Sequence, residues 1–119
     1  MANELTLGAS ISFTKSGVTE ALAKSGVQFT VSGSKYTSVV QSIGTTEEAL
    51  DLGDVGTAGY SLIVNLDATN FVKIRGATAA VDCIKLKAGE FCLFRHAGAA
   101  PFAIADTAAC LIRHLLIED

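Results

Sequence analysis

A chain of 119 residues has room for one domain with one hydrophobic core, and at that size it needs neither a metal nor a disulfide to fold. A net charge of −3, a pI near 5.3 and scattered basic residues argue against a phosphate-binding surface, so nucleic acid is not an expected partner. Only 18% of residues are charged and the mean hydropathy is +0.43, so a free monomer would expose an unusually apolar surface; the simplest remedy is a partner that covers part of it.

The opening Met-Ala-Asn-Glu has neither the basic region nor the apolar stretch of a secretory leader, and no apolar segment approaches the ~20 residues that span a bilayer. The expectation is a product made in a cytoplasm, with no membrane partner. Cys83, Cys92 and Cys110 are an odd number, widely spaced, without a CxxC pair. Their apolar neighbours suggest free thiols packed as small core residues.

In chain order, Leu5, Leu7, Ala9, Ile11 and Phe13 alternate with Thr6, Gly8, Ser10, Ser12 and Thr14, the two-residue period of a strand with one apolar face. Residues 19–24 have the length for a turn of helix, confined by Gly17 and Gly26. Val27, Phe29 and Val31 resume the alternation, and the β-branched stretch 36–43 reads as a further strand. An acidic, glycine-punctuated segment follows, with a short strand over 48–52 and a turn at Gly53 and Asp54. The nearly continuous apolar run 60–66 reads as a strand buried on both faces. A turn through Asp67 and Asn70 leads to a return strand over 71–75, which would complete a hairpin. The pattern repeats with strands at 81–87 and 91–96 about a short turn, a loop over 97–101, and a short extended piece at 102–105. Residues 110–117 suit a strand better than a helix. Eight to ten short strands with turns every 8–12 residues predict a single all-β domain over 1–119, an antiparallel β-sandwich of jelly-roll type.

Few residues invite chemistry. His96 and His114 lie in apolar strands beside Arg95 and Arg113, without the HxH or HxxxH spacing of a metal site. Cys92 and His96, like Cys110 and His114, are four apart, which on a strand separates them by ~13 Å along one face. A Cys–His pair formed across strands stays open; the plainer reading is interface or partly buried histidines. Glu47, Glu48, Asp51 and Asp54 lack a calcium-loop pattern and read as a solvated acidic face. Gly53, Gly56 and Gly59 are followed by no lysine that would make a phosphate loop. With two tyrosines and no tryptophan, an aromatic platform for sugars is poorly supplied. The expectation is a protein with no catalytic residues, no metal and no cofactor.

The run Gly44-Thr-Thr-Glu-Glu-Ala-Leu-Asp-Leu-Gly-Asp, then Asn65-Leu-Asp-Ala-Thr-Asn, Leu86-Lys-Ala-Gly-Glu-Phe, Ala105-Asp-Thr-Ala-Ala and the terminal Leu-Ile-Glu-Asp resemble small structural proteins of tailed bacteriophages. The resemblance covers about two-thirds of the chain and departs from the family style at Arg75, Arg95, His96 and His114. It implies a virion component. The leading expectation is a capsid decoration (cement) protein, a dimer or trimer that binds coat subunits on the capsid surface. The alternatives are a tail or fibre part, such as an adaptor or receptor-binding tip, and a carbohydrate- or host-surface-binding module. Because termini and long loops often carry quaternary contacts, Met1, Ala2, Asn3, Glu4, Asp51, Leu52 and Val55 are the candidate assembly residues.

Overall fold

The computed structural model describes residues 2–97 and 101–119. Met1 and three residues of the expected 97–101 loop (Gly98, Ala99 and Ala100) lie outside them. The described residues are all-β, with ten strands in antiparallel sheets and no helix. The sequence reading takes 1–119 as one domain; by its contacts the chain comprises two compact units, Met1–Ser32 and Gly33–Asp119.

The first unit is a long two-stranded hairpin, β1 (Leu5–Lys15) and β2 (Val18–Phe29). Its turn is Ser16-Gly17, both with positive φ (53° and 81°), the conformation of a type I′ turn whose twist matches that of the strands. The turn of helix considered at 19–24 is therefore a strand, because this tight reversal sets residues 18–24 directly against β1. Gly26 (φ 65°) lies where the register slips by one residue: Leu7 pairs with Val27, but Ala9 pairs with Lys24. A bulge of this kind needs a residue that tolerates the left-handed region.

The second unit holds two four-stranded sheets. One has the order β3 (Tyr36–Ile43), β10 (Cys110–Glu118), β5 (Ala58–Asn65), β8 (Phe91–Arg95). The other runs β4 (Glu48–Ala49), β9 (Phe102–Ala105), β6 (Val72–Arg75), β7 (Asp82–Leu86). Ile43, Ile63, Cys110 and Ile112 from the first sheet and Val72, Ile74, Leu86, Ala103 and Ala105 from the second share one hydrophobic cluster. Partners come from distant sequence, and this corrects two expectations. Residues 60–66 and 71–75 form no hairpin, since β5 pairs with β10 and β8 while β6 pairs with β7 and β9. The strands at 81–87 and 91–96 are likewise split between the sheets.

The crossover after β5 is held by buried Asn65. Its amide donates to the carbonyl oxygens of Asn70 (3.0 Å) and Leu86 (2.9 Å), and its side-chain oxygen accepts from the Asp67 amide (2.9 Å). Asp67 then accepts the Thr69 and Asn70 amides, the turn chemistry expected of that segment. The expected strand at 48–52 shrinks to Glu48–Ala49, because Leu50 turns inward and Gln41 takes the Asp51 amide.

Candidate functional site

Alternation along β10 directs Cys110, Ile112, His114 and Leu116 inward and Leu111, Arg113 and Leu115 outward. Along β5, Ser61, Ile63 and Asn65 are buried, while Tyr60, Leu62 and Val64 are turned the other way. The run 60–66 was expected to be buried on both faces; Ser61, Ile63 and Asn65 are buried, whereas Tyr60 and Val64 are half-buried and Leu62 is exposed. The register places the outward residues side by side: Leu115 pairs with Ser38 and Leu62, Arg113 with Val40 and Val64, Leu62 with Leu93, and Val64 with Phe91. The result is a broad apolar sheet face. Phe91 is 64% exposed, Val40 57% and Leu111 51%.

The charges at its outward strand positions are Arg95 and Arg113. Arg95 is paired with Asp119 at 2.7 Å and lies over the Tyr60 ring. Arg113 donates to Ser38 Oγ (2.6 Å) and the His114 carbonyl (3.2 Å), with no carboxylate partner among the described residues. The corresponding side of the other sheet is different. There Lys73 and Arg75 pair with Asp82, Arg75 pairs also with Glu47, and Lys73 and Lys85 lie over Phe71. One sheet thus shows water a network of charges, and the other shows it hydrocarbon.

Inside, the two histidines meet at Ser61. Its hydroxyl lies 2.6 Å from His96 Nε2 and 2.9 Å from His114 Nε2, so it donates to one ring and accepts from the other. His114 Nδ1 is buried without a hydrogen-bond partner among the described residues. Burial pushes the His96 pKa down, and burial with the neighbouring His96 pushes His114 down to about 4. Both rings are neutral at pH 7. Ser61 is 1% exposed and His114 0%, so these two lie out of reach of solvent, and the cluster ties β5, β10 and the end of β8 together. Neither Cys–His pair considered from the spacing forms. The Cys110 thiol faces the Phe71 and Ala108 carbonyls, and burial raises the Cys92 pKa to about 11. The cysteines are free, but Cys83 is exposed instead of packed in the core.

A cleft of about 400 Å³ in the second unit is lined by Ile74, Cys83, Ile84, Phe94 and His96, with Arg75 and Arg95 at its edge already paired to carboxylates. Of the acidic segment expected as a solvated face, Asp51 and Asp54 are exposed and Glu47 and Glu48 are half-buried, and three of the four fasten loops. Glu47 accepts Arg75, Thr78 Oγ1 and the Ala79 amide; Glu48 accepts the Gly44 amide; Asp51 accepts the Gly53 amide. No group of three or more metal-ligating side chains converges among the described residues.

The candidate assembly residues fall in both units. Ala2, Asn3 and Glu4 are exposed at the open end of the hairpin, where the Asn3 amide donates to Thr30 Oγ1 and Glu4 accepts the Val31 amide. Asp51 is exposed and Leu52 half-buried, while Val55 is buried and has no surface to offer. The sequence reading did not single out the outward apolar positions of β10 and β5. The signal was present in the apolar residues of both parities in 60–66 and 110–117. Compared with known proteins, the chain matches no family profile, no curated sequence and no solved structure.

Proposed function

We propose that this chain is a structural protein that works by assembly: a tailed-phage virion component, and in particular a capsid decoration protein built on a jelly-roll-like β-sandwich. The observation that carries the assembly reading is the uncovered apolar face of β3, β10, β5 and β8. Covering even 400 Å² of such surface stabilises a complex by about 10 kcal/mol before the costs of association, so a partner gains much by seating there. The virion placement rests on the resemblance of the turn and strand segments from Gly44 onward to phage structural proteins. A decoration protein multiplies modest contacts by the symmetry of a shell, which suits a surface of Leu, Val, Phe and Ser with few charges.

The reading is tested by mixing the purified chain with assembled phage heads and, separately, with free coat subunits, followed by co-sedimentation and cryo-electron microscopy. Regular protrusions on heads, with little binding to free subunits, are expected. Density confined to the tail would overturn the decoration role in favour of a tail or fibre part, and no binding to any particle would overturn the virion role. The variant Leu115→Glu, which places a charge in the middle of the apolar face, should abolish seating while leaving the fold intact.

A further inference from the structure

The hairpin of the first unit has two free edges, because β1 and β2 pair only with each other among the described residues. A lone two-stranded ribbon is at best marginally stable in water, and an unpaired strand edge is a template for a further strand. Residues 18–26 of β2 are all exposed, Leu22 by 72%. Along this edge, residues 20–24 read Glu-Ala-Leu-Ala-Lys, so an acid and a base stand two positions either side of Leu22. Alternation puts Glu20, Leu22 and Lys24 on one face, opposite Phe13, Ile11 and Ala9 of β1. Glu20 and Lys24 lie ~13 Å apart along the strand, too far to pair with each other. Neither forms an ion pair among the described residues.

A second copy of the same strand supplies both missing partners. Laid antiparallel about a two-fold axis at Leu22, it sets Glu20 directly opposite the second copy's Lys24, and Lys24 opposite its Glu20. Leu22 then meets Leu22, and Ala21 meets Ala23. Other registers do worse. An axis at Glu20 or Lys24 opposes like charges, and an axis at Ala21 or Ala23 leaves both charges opposite uncharged residues. A one-residue slip turns the two apolar faces to opposite sides of the sheet. The register slip beside Gly26 ends the regular part of β2 and bounds the pairing on that side. The joined sheet has four strands, with Ile11 and Leu22 of both copies in one apolar row, the minimum that lets such a ribbon stand in water.

We propose that β2 is a self-pairing edge: two copies join antiparallel at Leu22 into a sheet of order β1-β2-β2-β1, with Glu20 against the second copy's Lys24 on both sides of the axis. The contact is small beside a standard stable interface, so it acts between copies at high local concentration, as on a shell. It rests on the assembly reading but uses a surface separate from the β3-β10-β5-β8 face. The test is amide hydrogen exchange, read by NMR on the full chain at low and at millimolar concentration. Amides alternate along β2, one set bonded to β1 and the other free in a single copy, and pairing protects the free set. In the wild type, protection of the free set around Leu22 should rise about tenfold with concentration. Glu20→Lys or Lys24→Glu alone opposes like charges twice per pair and should lose most of that rise. The β1-bonded amides of those variants should stay protected, which shows that the hairpin is intact. The double variant Glu20→Lys with Lys24→Glu, unchanged in composition, should recover the wild-type rise. A free set that stays unprotected at every concentration, or protection of the free amides of β1 instead, refutes pairing through β2. A full rise in the single variants refutes the register at Leu22. Loss of mass in Leu115→Glu reports on the sheet face alone, so either contact can fail without the other.

Discussion

Lowering the pH from 6.5 to 4.5 should weaken the fold through its buried imidazoles, and the size of the effect follows from the geometry. His114 is 0% exposed, its Nδ1 has no hydrogen-bond partner among the described residues, and its pKa falls from 6.5 to about 4. The unfolded chain binds a proton at this ring near pH 6.5 and the folded chain only near 4, so between those values acid favours unfolding. With 1.36 kcal/mol per pKa unit, the loss from His114 between pH 6.5 and 4.5 is about 2 kcal/mol. His96, also shifted down by burial, adds in the same direction. The carboxylates held below their usual range, Glu47, Asp67, Asp82 and Glu118, contribute stability that begins to be lost near pH 5, so the histidines act alone only over the upper part of the window and His114→Phe separates the two contributions below it. Urea unfolding at pH 7.0, 6.5, 5.5 and 4.5, at one protein concentration, should show a midpoint falling by about 1 M across the window. In His114→Phe the ring has no proton to gain and Ser61 keeps its bond to His96, so most of the slope should vanish. A midpoint that is flat from pH 6.5 to 4.5, or a full slope surviving in His114→Phe, would refute the argument.

Truncating neighbouring residues of β10 should separate the two faces of the sheet. Ile112→Ala opens a cavity in the shared core and should cost about 2–5 kcal/mol in chemical denaturation, whereas Leu111→Ala, on the outer face, should cost well under 1 kcal/mol in the monomer but weaken association. Glu118→Gln should loosen the entry to β3 and the loop at Gly56, because the carboxylate accepts the Ser34, Lys35 and Gly56 amides; faster hydrogen exchange at those three positions is the readout. At Gly53 (φ 54°) a Cβ would come within 2.6 Å of Thr37 Oγ1, the hydroxyl that donates to the Leu52 carbonyl. Gly53→Ala should therefore lower the melting temperature by several degrees, through both the backbone and the displaced threonine.

Strand positions were legible in the sequence because alternation is local: 5–14, 36–43, 102–105 and 110–117 each lie within a residue or two of the observed strands. Which strands pair was not legible. Segments adjacent in sequence, such as 60–66 and 71–75, look like hairpins, and only the packing of the whole core sends β5 and β6 to different sheets. The helix considered at 19–24 failed because Ala-Leu-Ala favours helix, while the positive φ at Ser16 and Gly17 commits the segment to the ribbon. Ser61 escaped notice for the same reason as the pairing: it joins His96 and His114 across 35 and 53 residues of sequence, through a register no periodicity encodes. The apolar sheet face was half legible. The composition signalled an unusually apolar surface, and the double-parity apolar runs lie in the strands that carry it, β5 and β10.

The most direct test of the central claim is the solution mass of the full chain by sedimentation across a wide concentration range. Assembly through the β3-β10-β5-β8 face predicts a discrete dimer or trimer that dissociates on dilution and is lost in Leu115→Glu. A wild-type chain that remains a monomer of 12.3 kDa at every concentration would contradict it.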